Sequence, residues 1–364
     1  MKRIKLDLGD RSYPIHIGSG TVEKIPGVLK RLGHAGPVVL ITDETVKKKV
    51  SRLYRPVVDT LSNEVIRVVV PASEKAKSID IFRDVSQKIA GKTRTHKPLI
   101  LAIGGGVVGD LAGFVAATYR RGVPVVQVPT TLLAQVDSSI GGKVGIDLPE
   151  AKNLIGAFWQ PRAVLIDTDF LSTLPVRQIR NGLGEIIKYS IIRKKRLFGY
   201  LEEHVDDILS LDPRCLEKII YDCASIKSRV VEKDERDEFD VRIALNFGHT
   251  LGHAIESASG YSDLYNHGEA VSIGIILASE IAVRLEMLEP SELQRIKTLI
   301  IEAGLPVGIR GVSLKDILES HVYDKKFTKG SNRFLLPAAI GVVEVVEDIP
   351  ELLIKTVIRE YMVN

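Results

Sequence analysis

Residues 99–119 read LILAIGGGVVGDLAGFVAATY. Five apolar residues, 99–103, run without alternation into Gly104-Gly105-Gly106-Val107-Val108-Gly109-Asp110 and then into a helical pattern whose spacing starts at about Asp110. An unbroken apolar run of this length fits a strand buried on both faces, as in parallel sheets. Glycines between strand and helix let the backbone approach a ligand closely, and the helix N-terminus favours negative charge. The spacing is not G-x-G-x-x-G, so the ordinary dinucleotide fingerprint is absent. Taken alone, the loop fits either a phosphate or dinucleotide site or a tight turn.

The same alternation extends outward. Residues 4–8 and 13–17 read as a pair of strands, 38–42 as a strand leading into a helix over 44–53, and 65–70 as a strand closed by Pro71. A helix over 79–90 follows, and 125–128 and 164–166 are further buried-strand candidates. Short apolar strands separated by helices predict a parallel α/β sheet covered on both faces. From about Pro175 a 3.6-residue period takes over, at 184–192, 214–231, 250–259, 269–285 and 291–303. Residues 333–346 predict a late hairpin before a C-terminal helix, so the second half is mainly α-helical.

With 364 residues the chain can bury a full core. Its net charge is only +4 and its basic and acidic residues are interspersed, so no nucleic-acid stripe stands out. The run Arg193-Lys194-Lys195-Arg196 reads as a solvated face. No apolar run reaches membrane length, and MKRIKLDLGD has no apolar signal core. Cys215 and Cys223, on one expected helix, make no disulfide framework, which points to a reducing, cytoplasmic compartment.

Two regions carry chemistry. After the strand ending Pro129-Thr130-Thr131 comes Asp137-Ser138-Ser139-Ile140-Gly141-Gly142-Lys143, and Lys152-Asn153 follows. Lysines and an asparagine crowded among glycines suit a phosphate, nucleotide or carboxylate. Residues 245–269, LNFGHTLGHAIESASGYSDLYNHGE, hold three of the chain's eight histidines. His249, His253 and Glu256 fall at i, i+4 and i+7, on one helical face, and His267 opens the next apolar run. From spacing alone, His249 and His253 would chelate one ion.

In order, GGGVVGDLAGFVAATYRRG, VPTTLLAQVDSSIGGKVGID, KNLIGAFWQP, GLGEIIKY, LNFGHTLGHAIE and HGEAVSIG closely resemble the 3-dehydroquinate synthase family, over roughly residues 40–345. The resemblance implies a Rossmann-like NAD-binding domain at 1–176 and a helical metal- and substrate-binding domain at 177–364, in a fold related to glycerol and iron-type alcohol dehydrogenases. It implies conversion of the seven-carbon sugar acid phosphate DAHP to 3-dehydroquinate and phosphate, in the shikimate pathway, with bound NAD and one divalent metal, zinc or cobalt. The steps it implies are oxidation at C5, β-elimination of phosphate, re-reduction and an intramolecular aldol closure.

Carried over residue by residue, the resemblance assigns the metal to Glu185, His249 and His267, which replaces the i, i+4 chelate. NAD contacts fall to Asp43, Glu74, Lys77, Gly105, Gly106, Val107, Asp110, Thr130, Thr131, Lys152, Phe170 and Thr173. The substrate falls to Asp137, Lys143, Asn153, Lys188, Lys227, Arg242 and Asn246, with His253, Lys143, Asn246 and Asp237 in catalytic roles. Arg121 resembles an arginine that reaches the neighbouring subunit's phosphate site, which implies a homodimer. A lysine of Lys325-Lys326, taken as Lys326, closes the pocket. The family's usual DERE reads Asp234-Glu235-Arg236-Asp237 here, followed by Glu238, so a proton-transfer glutamate faces Asp237 with Glu238 as the alternative.

The nearest rival is a cyclase of the 2-deoxy-scyllo-inosose synthase type, whose substrate lacks the carboxylate. Arg242 with Lys227 argues against it, because a buried cation needs an anion. A metal-dependent polyol dehydrogenase has no use for Lys143, Asn153 and Lys188. A non-catalytic binding relative has no use for Glu185, His249 and His267.

Overall fold

The computed structural model describes residues 1–93, 96–148, 151–322 and 332–363. Lys325 and Lys326 therefore lie outside the described residues. By compactness the chain forms two units, Met1–Pro175 with Leu216–Arg236, and Val176–Cys215 with Asp237–Asn364.

The first unit carries β1 (Lys2–Leu6), β2 (Tyr13–Gly18), α1 (Ile25–Arg31), β3 (Val38–Asp43), α2 (Glu44–Lys49), α3 (Ser51–Val58), β4 (Val65–Val70) and α4 (Ile79–Lys92). It continues with β5 (Leu99–Gly104), α5 (Gly106–Thr118), β6 (Val125–Pro129), β7 (Lys143–Leu148), β8 (Ala151–Phe158) and β9 (Ala163–Asp167). Seven strands form one sheet in the order β1-β2-β9-β6-β5-β3-β4. All its pairings are parallel except that of β1 with β2. The alternation within β5 shows why its sequence had no polar face. Ile100 and Ala102 pack with α4 and α5, while Leu99, Leu101 and Ile103 pack with α1 and α3 on the other face. β7 and β8 form a separate antiparallel hairpin.

Three local expectations shift. The first helix of the sheet's glycine loop begins at Gly106, not near Asp110. The glycine run thus joins strand to helix directly, Gly104 ending β5, Gly105 standing as the N-cap and Gly106 opening α5: a β-carbon at Gly104 would stand 2.5 Å from that of Val108. The helix expected over 44–53 breaks at Val50, a buried β-branched residue with φ −111°. The first strand spans Lys2–Leu6 because Leu6 pairs with Tyr13 across the hairpin.

The second unit carries α6 (Val176–Arg193), α7 (Lys195–Leu209), the start of α8 (Pro213–Lys233), α9 (His249–Ala258), α10 (His267–Arg284), α11 (Pro290–Glu302), α12 (Leu314–Val322), the hairpin β10 (Arg333–Ala339) and β11 (Val342–Glu347), and α13 (Glu351–Glu360). Helices α7 and α12 lie outside the 3.6-residue periods of the sequence. From Leu216 onward α8 belongs to the first unit, whereas a linear division at residue 176 places it in the helical half. Polar ties account for this. Lys227 Nζ donates to the Asp137 carbonyl at 2.8 Å, Glu232 accepts from the Asp7 N–H at 2.9 Å, and Arg11 grips Glu235. Among the described residues no helix is long and apolar enough to cross a membrane.

Three helices of this unit meet through glycines. A β-carbon at Gly184 would lie 2.6 Å from the Gly268 carbonyl oxygen, and one at Gly268 would lie 2.1 Å from that of Asn181, so α6 and α10 touch backbone to backbone. At Gly274 a β-carbon would sit 1.9 Å from the Gly248 oxygen and 2.8 Å from the Gly252 nitrogen. Backbone cannot yield as a side-chain tip can. Gly274→Ala is therefore expected to cost at least the roughly 1–3 kcal/mol typical of overpacking. Urea unfolding checks this, and an unchanged midpoint would refute the close approach.

Candidate functional site

Those glycine contacts bring three side chains together. Glu185 on α6 is fully buried, one residue after Gly184. His249 opens α9 after Gly248, whose φ of 76° lets the chain turn into the helix. His267 opens α10, where Asn266 and Glu269 form a capping box. His249 Nε2 lies 3.3 Å and His267 Nε2 3.1 Å from the same oxygen, Glu185 Oε1. One donor atom from each of the three residues lies within 4.8 Å of the others.

Each ring is oriented from behind. His249 Nδ1 donates to the Phe247 carbonyl at 3.0 Å, which leaves its Nε2 lone pair facing Glu185. His267 Nδ1 lies 3.2 Å from Glu256 Oε2, a buried carboxylate. Asn181 Oδ1 accepts from the Gly268 N–H at 2.7 Å and pins the start of α10. A carboxylate behind a metal-facing imidazole is the usual arrangement around protein metal ions. Residue types do not reveal Asn181's part, and helical spacing places Glu256 only on the face of His249 and His253, not behind His267.

The electrostatics fit a cation. Burial would raise the Glu185 carboxyl, but Lys188 and the two imidazoles outweigh it and hold the group well below its ordinary range. Burial and the Lys188 ammonium keep His249 neutral, its pKa far below the usual imidazole value. Burial works against protonated His267 too, yet the Glu185 and Glu256 carboxylates on either side push it up to about 10. The cluster thus holds a positive charge between its carboxylates where a divalent ion would be held. Two imidazoles and one carboxylate suit zinc or cobalt and leave positions open for other oxygens.

His253 stands beside this group, its ring centroid 5.1 Å from that of His249 and 6.1 Å from that of His267. With Glu256 and His267 it forms a second compact set. In that set Glu256 is already turned to His267 Nδ1 and His253 is exposed, whereas in the first set two Nε2 atoms converge on one buried oxygen. Among the described residues no such group contains both His249 and His253, the pair suggested by i, i+4 spacing. Lys188 is buried with its Nζ against Glu185. Arg242 is 4% exposed on a 3-10 turn, Val241–Asn246, which also carries Asn246. The turn is separated from α9 by Phe247 and Gly248, so Arg242, Asn246 and His249 do not share one helix. Asp237 and Glu238 are both exposed, Asp237 with φ 59°.

The other candidates fall in the first unit. Lys77, 4% exposed, reaches Asp110 Oδ2 at 2.9 Å, Glu74 Oε1 at 3.6 Å and Asp147 Oδ1 at 3.7 Å, and donates to Asn153 Oδ1. Asn153 thus stands with Lys77 and Asp110, although the resemblance sorts it with the substrate and them with NAD. Its backbone N–H donates to Asp147 Oδ1 at 2.7 Å, a partner absent from the expected set. Burial raises the Asp110 carboxyl to about 6 despite Lys77. Gly105, Gly106 and Val107 begin α5, whose N-terminus no side chain caps, so its first amides suit a phosphate. The Thr130 N–H donates to the Gly104 carbonyl at 2.9 Å, and Thr131 Oγ1 accepts from Ala134 at 3.2 Å. Asp43 caps α2 through the Val46 N–H at 2.8 Å. Phe170 is buried and accepts from the Thr173 hydroxyl through its carbonyl at 2.7 Å. Lys227 Nζ meets both the carbonyl and the carboxylate of Asp137. Lys143 and Arg121 are exposed, and Lys152 is half-buried.

Residues 67–181 match the family model described as 3-dehydroquinate synthase N-terminal, and residues 182–327 the one described as 3-dehydroquinate synthase C-terminal. The chain is 45% identical over 356 residues to a 3-dehydroquinate synthase of Desulforamulus reducens, covering 96% of this chain and 98% of that protein. A solved structure of 2-deoxy-scyllo-inosose synthase with carbaglucose-6-phosphate, NAD+ and Co2+ is similar at TM-score 0.90 and 25% identity, over 99% of this chain and 100% of that one. The 2-epi-5-epi-valiolone synthase of Streptomyces hygroscopicus subsp. jinggangensis, with NAD+ and Zn2+ bound, is similar at TM-score 0.88 and 26% identity, over 98% of each chain.

Proposed function

We propose that this chain, which belongs to the 3-dehydroquinate synthase family, converts DAHP to 3-dehydroquinate and phosphate, the carbocycle-forming step of the shikimate pathway. The observation that carries this reading is the match of both family models in sequence order, at 45% identity to a relative across nearly the whole chain. It is a lyase that uses NAD and a divalent metal, a reading supported by two similar cyclases bound to NAD+ with cobalt or zinc. When bound, NAD supplies a hydride acceptor that is restored in each turnover, and the metal supplies a Lewis acid for substrate hydroxyls.

The residues divide the work by their chemistry. Glu185, His249 and His267 would hold the metal, with Glu256 setting the His267 ring. Lys77, Asp110 and the start of α5, with Asp43, Glu74, Thr130, Thr131, Lys152, Phe170 and Thr173, would hold the nucleotide in the unit built on 1–176. Lys143, Asn153 and Lys188 would hold the phosphate and Arg242 the carboxylate, while Asp137, Lys227 and Asn246 orient hydroxyls. His253, exposed beside the other imidazoles, would move protons at ring opening, a role usually giving about 10²–10⁴-fold. Asp237 or Glu238 would take the remaining proton-transfer role. Arg121, exposed and at φ 62°, would serve the neighbouring protomer of a homodimer, and the enzyme would work in the cytoplasm.

The cofactor cycle is tested by phosphate release with product identification. Substoichiometric NAD should support many turnovers, and a chelator should abolish them. One NADH accumulated per phosphate released would refute the redox-neutral cycle and favour the polyol-dehydrogenase reading.

A further inference from the structure

A second set of soft and hard donors lies away from the histidine cluster, on α7 and the first turn of α8. We propose that His204, Asp207 and Cys215 form a further divalent-metal site, with one sulfur ligand, suited to zinc or cobalt. One donor atom from each lies within 4.8 Å of the others. A four-coordinate zinc at ordinary bond lengths places its donors about 3.3–3.6 Å apart, so closure requires roughly an ångström of side-chain movement. His204 and Asp207 have that freedom, at 35% and 57% side-chain exposure, whereas Cys215 is buried and fixed.

The surroundings are arranged around the sulfur. Asp212 Oδ1 accepts the backbone N–H groups of Arg214 and Cys215, both at 2.9 Å, and sets Cys215 in the first turn of α8. Tyr200 donates its hydroxyl to Cys215 Sγ at 3.1 Å, and the ring of His204 packs on that of Tyr200 with centroids 4.3 Å apart. His204 leaves helical geometry inside α7, at φ −130° and ψ 16°, and turns its Nδ1 to Asp207 Oδ2 at 2.9 Å. Burial, with Asp212 and Asp207 nearby, keeps the Cys215 thiol above its ordinary range, so it is no nucleophile on its own. A bound cation reverses that balance. The thiol proton leaves to solvent, thiolate and carboxylate neutralise the two charges of the ion, and a neutral imidazole completes the set with an open position for water. The Tyr200 hydroxyl then serves as a donor to the thiolate.

The test exploits sulfur. Glu185, His249 and His267 offer only nitrogen and oxygen, so a thiolate-to-cobalt charge-transfer absorption in the near ultraviolet reports the second site alone. Full-length protein stripped by chelator and titrated with Co2+ should develop this absorption. Cys223→Ser, which removes the chain's other thiol, should retain it. Cys215→Ser should abolish it and bind one equivalent less cobalt, and His204→Ala should weaken cobalt binding by at least about tenfold, with unchanged far-ultraviolet circular dichroism. An absorption absent from the wild type, one that survives Cys215→Ser, or one lost with Cys223→Ser alone would overturn the assignment.

Discussion

Glu185→Gln should lose its bound metal after dialysis and with it more than about 100-fold of DAHP turnover, beyond the 10–100-fold usual for removing an outer partner of a metal ligand. The substitution keeps the shape of a fully buried side chain and removes its charge. It replaces the carboxylate whose Oε1 both Nε2 atoms face, 3.3 and 3.1 Å away, with an uncharged amide that has a single, weaker ligand oxygen. It also leaves the Lys188 ammonium, 2% exposed, beside a neutral amide. Breaking a buried pair in this way costs about 3–5 kcal/mol, so unfolding must be measured alongside metal content. Glu256→Gln separates the two effects, because its amide can still accept from His267 while Lys188 keeps its partner. Its expected loss in metal affinity is the smaller, 10–100-fold one. Metal retained by Glu185→Gln but lost on His253→Ala would transfer the site to His253, Glu256 and His267.

Much of this geometry was legible in the residues, and what was not has physical causes. The parallel sheet showed because a strand buried on both faces is apolar throughout, as 99–103 and 38–41 are. The β7–β8 hairpin did not, because Gly145 and Gly156 face one another in it and supply no side-chain alternation. A β-carbon at Gly145 would stand 2.7 Å from the Ile155 carbonyl oxygen, so the hairpin depends on residues that carry no strand signal. At the Glu185–His249–His267 cluster, spacing alone points to His249 with His253, since i, i+4 geometry is the only proximity a single helix reveals. Glu185 lies 64 positions before His249 by their numbering, and their meeting depends on close packing at Gly184–Gly268 and Gly248–Gly274, which pattern reading cannot see. Family resemblance supplied that pairing. It did not supply Asn181, Asp147 or the capping box at Asn266, whose hydrogen bonds hold the ligand-bearing backbone in place.

Arg242→Ala should reduce kcat/KM for DAHP by roughly 10²- to 4 × 10³-fold while metal content and NAD affinity stay near those of the wild type. Arg242 is 4% exposed, and a guanidinium so deeply buried needs anionic partners. Its 3-10 turn ends at Asn246, three residues before His249, and the left-handed Gly248 breaks the path between them. Loss of the arginine therefore leaves α9 its own start and the imidazole of His249 its bond to Phe247. A bidentate arginine–carboxylate pair is strong and directional, and losing one side of a buried pair costs about 3–5 kcal/mol, which at about 1.4 kcal/mol per decade sets the fold-change. Arg242→Lys keeps the charge but not the planar fork, so it should fall between the wild type and the alanine variant. A structural arginine would behave differently, lowering the unfolding midpoint while sparing kcat/KM. Near-wild-type kcat/KM in Arg242→Ala would reject the carboxylate role and reopen cyclases whose substrates carry no carboxylate, the class to which 2-deoxy-scyllo-inosose synthase belongs.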